Sequence, residues 1–225
     1  QRFLRKAVVA GCVYAFVEAT SQGAVFYRHA FIDWAASAIT NLHPEHIESH
    51  GSYEKYRDAK LSFLSYAGHA HAPIFINAKD KEKDFFEIEL KGNKIIFFSS
   101  DDLPELSERA KEFLPGEFSR QNAALAVAIA KEFGVSDEAV KKGLENFKGV
   151  PGRAEVVQKE PFRVVVDYAH TPESLEAIYK TLKNSTNGSL ICILGSAGGG
   201  RDKWKRPAMG SVAASYCDAI ILTNE

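Results

Sequence analysis

Long hydrophobic runs are missing from this sequence of 225 residues. None reaches the roughly 18 consecutive apolar residues that a membrane-spanning helix needs. The first segment has a basic start, but its apolar part continues into Glu18 without a site typical of signal-peptide cleavage. The formal net charge is −1, so the chain has no general positive field for nucleic acid or for an anionic membrane. The sequence therefore predicts no membrane and no nucleic-acid partner.

Cysteine is also scarce. The chain has three cysteines, Cys12, Cys192 and Cys217, which lie far apart in hydrophobic surroundings. Small secreted domains instead carry several cysteines as a disulfide framework, which forms in oxidising compartments. We therefore expect buried free thiols and a cytoplasmic location.

Apolar residues make up 45% of the chain and charged residues 25%, which is ordinary for a globular protein. The length suits one large domain or two modest ones. Residues 149–153, GVPGR, contain two glycines and a proline without hydrophobic periodicity, which favours a linker. We predict domains at 1–149 and 150–225. The chain begins with Gln1 and ends just after a strand-like run, so we expect an internal part of a longer protein.

The first predicted domain has three short apolar runs that are typical of buried strands, at residues 13–17, 35–39 and 73–77. Each run delivers polar residues at its C-terminal end. Open α/β sheets place their functional sites at that end of their strands. We therefore expect the polar residues that follow these runs to line a site.

The remaining elements complete an α/β prediction. Residues 84–100 predict a β-hairpin, and Ser119 and Ser136 are candidate N-caps of two helices. After residue 153, strand and helix patterns alternate with short loops, which predicts a parallel, Rossmann-like sheet. The predicted architecture is a mostly parallel sheet with flanking helices and a hairpin, followed by the Rossmann-like domain.

A histidine-rich block, TNLHPEHIESHGSYEKYRDAK, spans residues 40–60. Its histidines, His43, His46 and His50, have spacings that can share one helical face, and zinc sites use such spacings. That hypothesis leaves the final lysine, Lys60, without a role. The alternative is that the three histidines lie on a helix face that binds no metal.

Three further features could carry chemistry, although each alone is also compatible with a turn. Residues 195–200 form a glycine-rich loop between a strand and a helix, followed by the cations of RDKWKR. Such a loop can present backbone N–H groups to an anion, but it lacks the Lys-Ser/Thr pair of a P-loop. Asp167 and His170 end an apolar strand and suit ribose or phosphate contacts. Glu18 ends another run and could hold Mg²⁺ beside a nucleotide.

Taken in order, these pieces resemble the Mur ligases over essentially the whole chain. The residues that carry the resemblance are Glu18-Ala-Thr-Ser, Arg28-His29, Thr40-Asn41-Leu42, Glu45-His46-Ile47-Glu48, His50-Gly51, Tyr56, Ala59-Lys60, Asn122, VPGRAE, DYAHTP, RDKWKRP and Thr223. Within the family, the order is most similar to the branch that adds the third residue, meso-diaminopimelate or L-lysine, to the peptidoglycan stem.

The resemblance implies an ATP-dependent ligase that works through an acyl phosphate, with Mg²⁺ and with small-molecule substrates, as a monomer. It implies that Glu18, His46 and a carbamylated Lys60 hold magnesium. It implies that Thr20 and Arg28 contact the UDP-muramoyl substrate, and that Arg201 binds the incoming amino acid. The residues that it implies for ATP binding are Asn41, Asn122, Asp167, His170 and Lys205.

The sequence also departs from the family pattern. The family's P-loop and UDP-binding domain do not occur within these 225 residues, so we expect this stretch alone to be inactive. Glu225 falls where the motif that selects the third amino acid begins, so that amino acid is left open. A folylpolyglutamate synthetase-like ligase, a non-catalytic nucleotide-binding module and the zinc protein remain alternatives.

Overall fold

The structure, a computed structural model, describes residues 2–196 and 203–223. Within these ranges, the helices are α1 (Arg2–Val9), α2 (Ser21–Val25), α3 (Ile47–His50), α4 (Tyr53–Gly68), α5 (Lys83–Glu89), α6 (Glu108–Phe113), α7 (Gly116–Glu132), α8 (Asp137–Asn146), α9 (Pro172–Asn184) and α10 (Lys205–Tyr216). The strands are β1 (Ser37–Ile39), β2 (Ile74–Asn77), β3 (Ile95–Phe98), β4 (Glu155–Gln158), β5 (Val164–Val166), β6 (Ile191–Leu194) and β7 (Ala219–Leu222).

A parallel sheet in the order β1-β2-β3 organises the first part of the chain. The central strand carries Ile74, Phe75 and Ile76, which are fully buried. Ile74 and Ile76 pack with residues of α4 and α5, whereas Phe75 packs with Ala124 of α7. Helices therefore cover both faces of the sheet, which explains why the strand is continuously apolar. The strands predicted at 35–39 and 73–77 are confirmed.

The strand predicted at residues 13–17 is wrong. These residues form no regular element, and Val13 and Phe16 are 84% and 85% exposed. A strand needs a neighbour that pairs its backbone N–H and C=O groups. No other segment within the described ranges pairs with this one. Residues 13–17 thus have the composition of a strand, but no neighbouring strand within the described ranges pairs with them.

The predicted hairpin at 84–100 is also wrong, because its first half is helix α5 and its second half, β3, pairs parallel to β2. Phe86 and Leu90 are fully buried and lie four residues apart, which places them on one face of a helix. Apolar and acidic residues alternate in FEIEL, residues 86–90, which is compatible with a strand, and packing against the sheet decided for the helix.

Of the two candidate N-caps, Ser119 and Ser136, only Ser136 caps a helix. Helix α7 begins at Gly116, so the candidate N-cap Ser119 lies inside it. Ser136 is the N-cap of α8 as predicted, and its side chain accepts a hydrogen bond from Ala139 N.

The second part of the chain pairs β6 with β7 in parallel. Helices α9 and α10 cover this pair through a core that includes Ile178, Leu194 and Met209. Strand β5 had been expected in the same sheet, but it pairs antiparallel with β4. The α/β class and the parallel β6–β7 unit are therefore confirmed, while the position of β5 is corrected.

Two expectations from composition can be compared with this fold. The three cysteines are free; Cys192 is buried and Cys217 half-buried, but Cys12 is exposed, which corrects the expectation that all are buried. Across the described ranges, no helix combines the length and apolar character that crossing a membrane requires.

Candidate functional site

The loops that follow β1 and β2 are fastened to each other. The Asn77 side chain donates a hydrogen bond from Nδ2 to Thr40 O at 2.9 Å. The Asp80 carboxylate accepts one from Leu42 N at 2.7 Å. Asn41 lies exposed within the first loop. These bonds fix the path of the chain from the sheet edge into the histidine-rich block.

His46 begins α3 in a left-handed backbone conformation, with φ +56°. Its ring packs edge-on against Tyr56 of α4, with ring centroids 6.2 Å apart. Its Nε2 lies 3.8 Å from the nearer carboxylate oxygen of Glu45. The imidazole is therefore oriented by the fold and remains about half exposed.

Lys60 projects from α4 into partly buried surroundings, with Nζ 5.8 Å from the Tyr56 ring centroid. Burial lowers the pKa of this amine, and the carboxylates of Glu45 and Glu18 oppose that change only in part. A lowered pKa increases the fraction of neutral amine, which is the form that reacts with CO₂.

The start of helix α2 adjoins this group. Thr20 is the N-cap, and its side chain accepts a hydrogen bond from Gly23 N at 3.0 Å. The buried Ser21 contacts His50, with 3.0 Å between Oγ and Nε2. Arg28 is exposed, and its guanidinium lies 5.9 Å from the centre of the Phe26 ring. His50 therefore joins α2 to α3, where the zinc hypothesis would have made it a ligand.

The zinc hypothesis fails on this geometry. His46 is a left-handed cap and His50 ends the short helix α3, so the two do not form a ligand face on a continuous helix. Within the described ranges, no three His, Cys, Asp or Glu side chains converge closely enough to hold a metal by themselves.

His170 crosses from the second part of the chain to the histidine-rich block. Its Nε2 lies 2.9 Å from Glu45 Oε1, and its Nδ1 lies 2.9 Å from Tyr168 O. Both ring nitrogens thus face acceptors, which only the protonated ring satisfies by donating from each. The hydrogen bond with Glu45 raises the pKa of His170, in agreement with an imidazolium.

Glu45 contacts residues of this candidate site but was not among the site residues predicted from the sequence. The hydrogen bond from His170 lowers the pKa of its carboxyl, with additional lowering by the charges of His46, His170 and Lys205. Lys205 is the first residue of α10 and is 5% exposed. Glu45 belongs to the Glu45-His46-Ile47-Glu48 stretch that carries the family resemblance, but an acid beside a histidine is usually solvated and pointed to no contact with His170.

The structure does not bring the other described site residues predicted from the sequence, Asp167 and Asn122, into contact with Lys60. Asp167 accepts hydrogen bonds at 2.7 Å from Ala154 N and from Ala169 N, so both of its oxygens anchor backbone. Asn122 lies exposed on α7. Arg201 and Glu225 lie outside the described residues. The nucleotide contacts proposed for Asp167 and Asn122 stay predictions.

The residues around Lys60 fit a divalent cation. Glu18 and Glu45 both act electrostatically on the Lys60 amine, and the His46 imidazole lies 3.8 Å from the Glu45 carboxylate. Magnesium prefers oxygen ligands and keeps several waters and substrate phosphate oxygens, so it needs only one or two ligands from the protein. A carbamylated Lys60 would add two such oxygens.

Two family descriptions match the sequence. Residues 1–113 match the Mur ligase middle domain, and residues 152–225 match the Mur ligase glutamate ligase domain. The chain belongs to the Mur ligase family. Its Glu45, His46 and Lys60 therefore lie in the middle domain, and its His170 and Lys205 lie in the glutamate ligase domain.

Individual relatives agree with this assignment. A UDP-N-acetylmuramyl-tripeptide synthetase of Roseiflexus sp. (strain RS-1) is 32% identical over 100% of this chain and 51% of its own length. A UDP-N-acetylmuramoyl-L-alanyl-D-glutamate–2,6-diaminopimelate ligase of Clostridium tetani is 31% identical over 100% of this chain and 50% of its own. This Mur ligase chain thus spans about half the length of the curated relatives it matches.

Solved structures show the same fold. A UDP-N-acetylmuramoyl-L-alanyl-D-glutamate–2,6-diaminopimelate ligase superposes with a TM-score of 0.65 at 27% identity, covering 97% of this chain and 50% of that one. The folylpolyglutamate synthase of Mycobacterium tuberculosis gives 0.65 at 18% identity, covering 86% and 48%. At such low identity, the second likeness concerns the fold alone.

Proposed function

We propose that this chain is part of an ATP-dependent ligase that adds the third amino acid to UDP-N-acetylmuramoyl-L-alanyl-D-glutamate during peptidoglycan synthesis. The observation that carries the proposal is the match of residues 1–113 to the Mur ligase middle domain, within which the partly buried Lys60 lies with Nζ 5.8 Å from the Tyr56 ring centroid. The family membership and the names of the relatives agree with it. Both meso-diaminopimelate and L-lysine remain candidates for the added amino acid.

In the proposed reaction, the γ-phosphoryl group of ATP passes to the D-glutamate carboxylate of the substrate and gives an acyl phosphate and ADP. The amine of the incoming amino acid attacks that carbonyl carbon, phosphate leaves, and an amide forms. Two anions must meet in the first step, so positive charge has to offset their repulsion. Bound Mg²⁺ supplies part of that charge, and Glu18, His46 and carbamylated Lys60 are the residues that would hold it.

The protein's own groups supply positioning and the remaining positive charge. Lys205 is a buried cation beside Glu45 and His170, and we assign it, with His170, to the phosphates of ATP. Asn41, Asn122 and Asp167 complete the proposed nucleotide contacts. Thr20 and Arg28 are assigned to the muramoyl substrate, and Arg201 to the carboxylate of the incoming amino acid, which a guanidinium can bind with two hydrogen bonds.

We also propose that the protein acts in the cytoplasm as a monomer. Three free cysteines are consistent with a reducing compartment.

The decisive experiment is a substrate assay on the full-length gene product. The enzyme is offered UDP-muramoyl-dipeptide or a folate, each with ATP, Mg²⁺ and diaminopimelate, L-lysine or L-glutamate. We expect an amide product and ADP from the muramoyl substrate. Glutamylation of folate alone would favour the folylpolyglutamate synthetase alternative. Nucleotide binding without turnover of either substrate would favour a non-catalytic module.

A further inference from the structure

We infer that Glu45 is a positioning residue that holds the glutamate ligase domain against the Lys60 site through His170. The inference rests on the proposed function. Its geometric basis is a carboxylate with one oxygen 2.9 Å from His170 Nε2 and the other 3.8 Å from His46 Nε2. One side chain therefore contacts both of the domains that the family descriptions define.

The environment of Glu45 makes this contact more than an ordinary surface pair. Its side chain is 22% exposed, and its charge acts on the buried Lys205, on Lys60 and on both histidines. Solvent screening weakens exposed ion pairs, whereas partly buried ones retain more of their strength. Removal of one partner from such a group leaves the others without compensation.

Both ends of the contact are built on fixed backbone. On the ligase-domain side, Thr171 caps α9 through reciprocal hydrogen bonds with Ser174, and Asp167 anchors the preceding turn. On the middle-domain side, His46 opens α3 and packs on Tyr56. Glu45 therefore joins two segments that are each already ordered, and it can transmit orientation between them.

The functional consequence follows from where the proposed ligands bind. His170 and Lys205 are assigned to ATP, whereas His46 and Lys60 are assigned to the cation that ATP shares. Glu45 sets the distance between these two groups. If the joined arrangement is the one that binds ATP productively, loss of Glu45 lowers its population and weakens apparent ATP affinity by the same factor.

A second ion pair between the domains provides a matched control. Lys159 Nζ lies 2.5 Å from Glu112 Oε1, and these side chains are 70% and 50% exposed. Like Glu45 with His170, this pair links the middle domain to the glutamate ligase domain. Glu112 has no role in the proposed site, so Glu112→Gln tests whether any lost contact between the domains has the same effect.

The experiment compares Glu45→Gln, Glu45→Asp and Glu112→Gln in the full-length enzyme. We expect Glu45→Gln to lower kcat/KM for ATP by about 10- to 100-fold, the usual loss for a residue that orients ligands of a metal site. Glu45→Asp should recover part of the loss, and Glu112→Gln should change kcat/KM less than about twofold, as exposed pairs do. Equal losses in Glu45→Gln and Glu112→Gln would overturn the inference.

Two further measurements separate positioning from other roles. Hydrogen exchange of residues 167–174 should be faster in Glu45→Gln and unchanged in Glu112→Gln. In a double-mutant cycle with His170→Gln, the combined loss should be smaller than the product of the two single losses, because both changes break the contact that Glu45 and His170 share. The positioning role would be refuted if the two losses multiplied. It would also be refuted if excess Mg²⁺ fully restored the activity of Glu45→Gln while hydrogen exchange stayed unchanged, because Glu45 would then act as a metal ligand. Absence of any product from the wild-type enzyme would instead refute the proposed function.

Discussion

Replacement of Gly116 by alanine tests how helix α7 packs against α9. Gly116 has φ +71°, and a Cβ atom there would lie 2.3 Å from Thr181 Oγ1 and 3.0 Å from Phe118 Cε1. The left-handed backbone costs an alanine roughly 1–2 kcal/mol, and overpacking costs a further 1–3 kcal/mol or so. We therefore expect Gly116→Ala to destabilise the protein by about 2–5 kcal/mol.

Gly134, just beyond the other end of α7, supplies the control, because its φ is +79° and a Cβ there would meet nothing within 4 Å. Gly134→Ala should show the backbone cost alone, about 1–2 kcal/mol. The remaining difference of about 1–3 kcal/mol corresponds to about 2–12 °C in melting temperature for a chain of this size.

Thermal unfolding followed by circular dichroism measures both variants. Addition of Thr181→Ala to Gly116→Ala should restore part of the loss, because it removes the side chain that the new Cβ meets. If Gly116→Ala melts no lower than Gly134→Ala, the close contact between α7 and α9 has been misjudged.

Three further predictions concern charge and hydrogen bonding. Lys60→Met should raise the melting temperature, because burial disfavours the ammonium group. The same change should lower ligase activity at least about 100-fold. The control Lys55→Met, on the exposed side of the same helix, should change neither the melting temperature nor the activity strongly. Burial raises the pKa of Glu117, but hydrogen bonds from Ser100, Lys79 and other neighbours bring it down to about 2. The stability that Glu117 contributes is thus present above its usual pKa of 4.5 and lost as the pH falls towards 2, so urea titrations should show a flatter acid limb for Glu117→Gln. Asp167→Asn should cost about 1–3 kcal/mol in urea unfolding, because its amide cannot accept both backbone N–H bonds.

The sequence predicted those elements of the fold whose pattern agreed with their packing. The run around Phe75 is apolar because helices cover both faces of its sheet, so pattern and burial coincide. In FEIEL, by contrast, the apparent two-residue alternation competed with the four-residue spacing of Phe86 and Leu90, and only the sheet beneath decided between them. The run at 13–17 failed for a different reason, since strand formation depends on a neighbouring strand that the run itself does not encode.

From local sequence patterns alone, without the family resemblance, contacts within the candidate site were predictable only between residues that lie close together in sequence. His46 and Lys60 fall within one block and are placed by α3 and α4, so their association follows from local structure. The contact between Glu45 and His170 joins residues 125 positions apart. No local periodicity encodes such a pair, and an acid beside histidines is commonly solvated. It becomes visible only when the domains are seen together.

The charges around Lys60 link its modification to cation binding. As an ammonium, Lys60 is stabilised by Glu18 and Glu45 and disfavoured by burial, and the burial is the larger influence. Carbamylation would reverse its charge, so the same two carboxylates would then repel it. A divalent cation held at this site would offset that repulsion. Carbamylation and Mg²⁺ binding should therefore support each other, and each should be weak in the absence of the other.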